Sequence, residues 1–404
     1  MQQIHLHLEE QAMRKTWLMK LSLLSISLVL TSNTAIASAL PMMLGYFNDQ
    51  SASSVELLMT IPQLTVVIFI ALSSLIAKAI GQKQTVLLGL LLAGVAGVLP
   101  VFTANFYLLM ISRAALGAGF GLFNSLAVSM ISEFFEGEEA ATLIGFQSAF
   151  QGLGAAVMTF TAGRLLTFGW QKAFLVYLIT IPIIFLFMAF VPEPPQKKEN
   201  FASKKATSEK GTLRPTTLMY GILIFFLCIF YMIVVVKLST FIVTENLGTE
   251  SDAGTVLSFM QIANMVAGFL FGLIYKGLKR WTLPISFFIM AASLFLILTA
   301  NHLFMIGVGA ALNGIAFALF VPYIFNDATR SVPQAAKAST TSFILVLANI
   351  GNFVSPYGHR LLERFGIGSD ALQNIFINGC ILMTVLGILF LLLTFKKKPH
   401  SNEV

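Results

Sequence analysis

Over 404 residues, 57% are hydrophobic and only 11% charged, a balance no soluble globular domain of this size keeps, so the chain reads as a polytopic membrane protein. The net charge of +7 would suit a nucleic-acid binder only if the basic residues lined one face; they fall between apolar runs and read as topology signals. Cys228 and Cys380 both lie inside apolar runs, which argues against a disulfide framework or a metal cluster.

The first twenty residues are polar and include Arg14, Lys15 and Lys20; Leu21 then opens an apolar run through Thr31-Ser-Asn-Thr34 to Leu44. Ala35-Ile-Ala37 imitates a signal-peptide cleavage site, but the apolar character continues past it, so the run is expected to be retained as the first span. Hydropathy places further spans near 55–79, 84–102, 105–131, 141–166, 171–191, 216–243, 253–275, 282–300, 303–326, 338–358 and 372–394, each near the roughly 20 residues a bilayer requires. The expected fold class is therefore an all-α membrane protein of twelve transmembrane helices. A Lys-, Glu- and Pro-rich interval at 193–214 separates a six-helix bundle at 1–192 from a second bundle with its tail at 215–404. That linker is expected to be cytoplasmic and mobile or a surface helix, with little influence on specificity.

Of the 25 lysines and arginines, only Arg164, Lys172, Arg360 and Arg364 fall on one side of this topology, Arg113 and Lys237 fall within spans, and all the others lie on the opposite side. The positive-inside rule then puts both termini in the cytoplasm.

The two halves repeat. Gly119-Phe-Gly-Leu-Phe123 matches Ala316-Phe-Ala-Leu-Phe320, Gly163-Arg-Leu-Leu-Thr-Phe-Gly169 matches His359-Arg-Leu-Leu-Glu-Arg-Phe-Gly366 with one inserted residue, and Ser74 to Lys83 matches the stretch from Gly272. The near-constant offset indicates a duplicated six-helix unit, giving two pseudo-symmetric bundles expected to enclose a substrate site near the midplane.

With these features the chain resembles the major facilitator superfamily over its whole length. The family's turn after span two reads Gly-x-Leu-Ala-Asp-Arg-x-Gly-Arg-Lys, and here stands Ser74-Leu-Ile-Ala-Lys-Ala-Ile-Gly-Gln-Lys83. Gly81 and Lys83 match; Lys78, and Lys276 in the second copy, occupy the aspartate position. These lysines either supply ordinary positive-inside charge or meet the acidic run Glu133, Glu136, Glu138 and Glu139. Ile111 to Gly121 resembles the span-four motif of proton-coupled members of the family, with Arg113 at its arginine position, whereas the span-five Gly-Pro motif of antiporters is poorly kept in Gln147–Ala156.

Arg113 is the one charge in its span, deep enough to cost at least about 2.5–3.5 kcal/mol unless it is faced by acceptors. It reads either as a structural arginine capping carbonyls or as a coupling residue. With no carboxylate at its depth, carbonyl or amide oxygens of spans one, two or five should hold it, with Asn33, Gln63 and Gln147 as side-chain partners. Polar and aromatic exceptions on apolar helices complete the candidate substrate-binding set: Asn124, Gln151, Phe230, Tyr231, Gln261, Asn264, Asn313, Tyr323 and Asn349. Lys237 either snorkels to the near interface or faces ligand. No carboxylate falls mid-span, so Glu56 and Asp327, near span ends, join Arg113, Lys78, Gly81, Lys83, Glu133 and Lys276 as coupling or gating candidates.

The resemblance implies a monomeric multidrug efflux antiporter of the bacterial cell membrane, without cofactor or metal, that exchanges amphipathic organic molecules for protons across the lipid bilayer. The alternative is an importer or exchanger of a small organic anion that uses Arg113 and Lys237. No zinc-ligand spacing, serine–histidine pair or phosphate loop supports an enzyme.

Overall fold

The computed structural model describes residues 17–194, 215–330, 332–333, 336–366 and 370–396. The expected linker at 193–214 lies outside them except for Glu193 and Pro194. The chain divides into two compact units, residues 1–199 and 200–404.

All described regular structure is helical, in twelve spans. In unit 1, α1 is a bent pair, Trp17–Leu30 with Ser32–Tyr46 at 40°, followed by α2 (Ala52–Ile80), α3 (Gln82–Val98), α4 (Phe106–Phe134), α5 (Gly137–Leu165) and α6 (Trp170–Phe190). In unit 2 follow α7 (Pro215–Thr244), α8 (Glu250–Leu278), α9 (Thr282–Leu298), α10 (Leu303–Arg330), α11 (Lys337–Glu363) and α12 (Ala371–Lys396). Side chains chosen for their acceptors start several of these helices. Ser51 caps α2, Asn105 caps α4, and Thr249 with Asp252 forms a capping box on α8, each satisfying amides the helix leaves unpaired.

The bend in α1 falls where the sequence reads Thr31-Ser-Asn-Thr34. Short hydroxyl and amide side chains compete for backbone groups and weaken an α-helix; here Ser32 Oγ donates to the Val29 carbonyl at 2.7 Å, and the chain runs through two short 3-10 turns, Ser32–Thr34 and Ala37–Ala39. The carbonyls released there need other donors.

Each unit repeats one packing scheme. In unit 1, α2 and α3 pack on α4, α1 on α5, and α3 on α6; in unit 2, α8 and α9 pack on α10, α7 on α11, and α9 on α12. The duplication is resolved to single residues. A Cβ on Gly117 of α4 would strike the Pro62 carbonyl of α2, and one on Gly314 of α10 would strike the Met260 carbonyl of α8. Likewise Gly154 of α5 lies on the backbone of Leu28 in α1, and Gly351 of α11 on that of Phe225 in α7. Members of each glycine pair are 197 positions apart. Without a hydrophobic driving force between helices in lipid, such close backbone approach is what holds them together. The remaining faces carry apolar stripes such as Leu88, Leu91 and Val95 on α3 and Val385, Ile388 and Leu392 on α12, all strongly exposed, as lipid contact requires.

Candidate functional site

Arg113 is 1% exposed, in the third turn of α4. All three guanidinium nitrogens are engaged: Nε donates to the Leu58 carbonyl at 2.8 Å, Nη1 to the Tyr177 hydroxyl at 3.0 Å, and Nη2 to the Asn33 carbonyl. The acceptors are available for local reasons. Leu58 sits four residues before Pro62 of α2; proline has no N–H, so the carbonyl that would close that helical bond is left over. Asn33 belongs to the break in α1. Tyr177, fully buried in α6, donates its hydroxyl proton to the carbonyl of Ser32 at 2.9 Å while accepting from Arg113, a second bond on a carbonyl that also accepts from the Ala35 amide. The guanidinium also lies 5.9 Å from the Tyr177 ring centroid, within cation–π range. Thus one arginine ties α4 to α1, α2 and α6.

Of the expected partners, Asn33 contributes its main chain and not its amide, and the donors are taken without Gln63 or Gln147. Tyr177 was not anticipated. The signal available was its depth, seven residues into α6 as Arg113 is seven into α4.

The other unit 1 candidates are dispersed. Gln147 is 2% exposed and its Nε2 has no hydrogen-bond partner; Gln63, Asn124 and Gln151 are half-buried. Thr31 of α1 donates to the Gln151 carbonyl at 3.0 Å. Glu56 is buried in α2, two residues before Leu58.

At the turn after α2, Gly81 adopts φ +94, a left-handed conformation suited to glycine. The carboxylate of Glu193, from beyond α6, accepts from the amides of Gln82 (2.7 Å) and Lys83 (3.2 Å), and Lys83 Nζ donates to the Met188 carbonyl at 2.9 Å. A carboxylate on a helix N-terminus meets both its free amides and its dipole. So the motif turn, whose aspartate position holds Lys78, gains an acid from the end of the unit. Of the acidic run, Glu133 accepts from Gln82 Nε2 at 2.8 Å and Glu139 pairs with Lys20 at 2.5 Å. Replacing Glu193 with alanine is expected to remove a cap worth about 1 kcal/mol and lower the thermal midpoint of the solubilised protein, with Glu193→Gln losing less; an unchanged midpoint for both contradicts the capping role.

In unit 2 the structure corrects the snorkelling reading of Lys237. Its side chain is 7% exposed, and Nζ lies 3.2 Å from Glu363 Oε1 at the end of α11. Tyr231, buried in α7, lies against Phe317 of α10 with ring centroids 3.9 Å apart and planes tilted by 30°. Phe230 is buried beside it. Gln261 and Asn349 are half-buried, the latter donating to the Leu345 carbonyl at 2.9 Å. Asn313 is completely enclosed with neither amide atom hydrogen-bonded, so a solute could reach it only after repacking. Near the start of α7, the hydroxyl of Tyr220 donates to Asp327 of α10. Tyr275 and Tyr323 lie edge to face at 6.1 Å, and Arg330 donates to the Tyr275 hydroxyl at 3.1 Å. Lys276 occupies the last turn of α8. Among the described residues no group of three or more His, Cys, Asp or Glu side chains is placed to hold a metal.

The model of the Major Facilitator Superfamily matches residues 22–276 and 220–404. The chain belongs to this superfamily. It is a multi-pass membrane protein of a family of secondary transporters, not of enzymes. Among curated relatives, the multidrug efflux protein YfmO of Bacillus subtilis is 30% identical over 168 residues, 40% of this chain and 42% of that protein, so the chain spans less than half of its length in the match. A probable sugar efflux transporter of Haemophilus influenzae is 20% identical over 324 residues, 76% of this chain and 80% of that one. Two solved structures show the same fold: a D-xylose–proton symporter (TM-score 0.74, 18% identity, 96% of this chain and 99% of that one) and the nucleoside transporter NupG (0.77, 13%, 94% and 100%).

Proposed function

We propose that this superfamily member is a proton-coupled exporter of amphipathic, drug-like organic molecules in the bacterial plasma membrane, monomeric and with both termini cytoplasmic. The observation that carries the choice of substrate charge is the state of the two buried cations. Arg113 spends all three nitrogens on protein oxygens, and Lys237 has a carboxylate of its own. A site for an organic anion would hold such groups ready to bind it, and neither is so held. Efflux is supported by the printed functions of both relatives.

The polar groups left for a solute are amides and aromatic rings, among them the half-buried amides of Gln151 in unit 1 and of Gln261 and Asn264 in unit 2. They suit an uncharged or weakly cationic, partly apolar compound. In proteoliposomes, saturable transport is expected for ethidium and related cationic dyes. Transport confined to carboxylate or phosphate solutes overturns the proposal, and transport confined to a neutral sugar reassigns the substrate class to that of the sugar efflux relative.

A further inference from the structure

The duplication accounts for the aromatic core of unit 2 and leaves two side chains over. Phe317 and Phe320 of α10 pack edge to face at 5.3 Å, and 197 positions earlier Phe120 and Phe123 of α4 do the same at 5.8 Å. At that offset, however, Tyr231 of α7 answers to Thr34 in the break of α1, and Asn313 of α10 answers to Leu116, a fully buried side chain of α4. The two exceptions flank Phe317. The ring of Tyr231 lies 3.9 Å from that of Phe317, while Asn313 precedes Phe317 by four residues, one turn away on the same face of α10.

Asn313 is 0% exposed, and neither its Oδ1 nor its Nδ2 has a hydrogen-bond partner. An amide taken out of water without partners is costly, and a core that keeps one in place of a leucine calls for a reason. The seam beside it is also built differently from its neighbours. Gly314 lets α10 settle on the α8 backbone at Met260 and Asn264, and Gly309 lets it settle on α9 at Ser293 and Ile297. On the other side, α7 meets α11 closely at Gly221, Gly351 and Gly358. Among the described glycines none locks α7 to α10 in this way. Rings can part along that seam by a change of rotamer, which interlocked backbones cannot do. Phe317 is half-buried and Tyr231 is 7% exposed, so the ring pair is approached from the Phe317 side.

We propose that the seam between α7 and α10 of unit 2 is a binding slot for planar aromatic solutes that carry amino groups, with Tyr231 and Phe317 as its walls and Asn313 as its hydrogen-bonding group. The inference rests on the export of amphipathic organic molecules proposed above and names the class of compound within it. In the closed slot the two rings face each other, 3.9 Å apart and tilted by 30°, and so supply the contact that a guest would make with each of them. A flat guest that parts them gains two aromatic faces, and its amino group donates to Asn313 Oδ1. The amide is then satisfied only while the slot is filled. That gives the guest a differential affinity for the open seam, the condition for a ligand to shift a conformational equilibrium.

The test uses the full-length protein in liposomes and two planar cations of the same ring system: ethidium, which bears amino groups, and N-ethylphenanthridinium, which bears none. The parental protein is expected to show a KM about tenfold lower for ethidium, as one hydrogen bond supplies. Asn313→Leu, which installs the residue of unit 1, and Asn313→Ala, which cannot overpack, are expected to erase that difference by raising the KM for ethidium alone. Tyr231→Leu is expected to raise the KM for both dyes. The thermal midpoint of Asn313→Leu is expected to rise, because two unpaired polar atoms leave the core. Equal KM values for the two dyes in the parental protein, the result if water alone serves the amide, overturn the inference while leaving export standing. So does a lowered midpoint in both Asn313 variants with the KM for both dyes raised alike, since that is what a merely structural amide would give. If the parental protein moves neither dye, the export proposal fails and this one with it.

Discussion

Replacing Arg113 with alanine is expected to abolish transport while the protein still reaches the membrane, and replacing it with lysine is expected to be nearly as harmful. Lysine keeps the charge but not the planar fork, and a single ammonium cannot serve Leu58, Asn33 and Tyr177, which approach from three helices. Hydrogen bonds to a charged group contribute about 1.5–3 kcal/mol each, so one such bond lost in the transport cycle slows it about tenfold or more. Tyr177→Phe, which keeps the ring but removes the hydroxyl that one guanidinium nitrogen bonds, is expected to fall between the parent and Arg113→Lys. Ethidium flux measured per molecule of purified protein checks the series. If Arg113→Ala and Arg113→Lys both transport at the parental rate and only their thermal midpoints fall, the arginine serves the fold and not the cycle.

The second large effect is expected at the paired glycines. Gly154→Leu and Gly351→Leu would each drive a side chain into the backbone of the neighbouring helix, Leu28 in α1 and Phe225 in α7. Overpacking of side chains costs about 1–3 kcal/mol, and here the obstacle is main chain, which cannot turn aside as a rotamer can. Both variants are expected to lose most of their monodisperse peak in size-exclusion chromatography of solubilised membranes. Gly145→Leu on α5, where no atom lies within 4 Å of the added Cβ, is expected to elute as the parent does. A normal peak for either paired variant contradicts the packing described.

The glycines also show why the architecture was legible in the chain. The repeat left its mark in short strings of small residues, because two backbones in contact tolerate almost nothing else; hydropathy did the rest. The site was less so. Arg113 was conspicuous as a lone charge, but its acceptors are mostly carbonyls, which the side-chain sequence does not display. Leu58 could be inferred only through the missing N–H of Pro62, and Tyr177 stands in an apolar run where a tyrosine draws no notice. Hydropathy ended span eleven near residue 358, whereas α11 continues to Glu363, so His359 and Glu363 passed for loop residues and Lys237 was left without its partner. Glu193 was assigned to the linker for the same reason, although its carboxylate closes the turn at Gly81.

Proton-coupled export through a cycle that needs Arg113 is tested most directly in everted membrane vesicles with an acidified interior, the pH gradient being followed with acridine orange. Addition of ethidium is expected to dissipate the gradient in vesicles carrying the parental protein and to leave it unchanged in vesicles carrying Arg113→Ala at equal abundance. A gradient indifferent to ethidium in the parental vesicles, alongside saturable uptake of a carboxylate or phosphate solute, would contradict it.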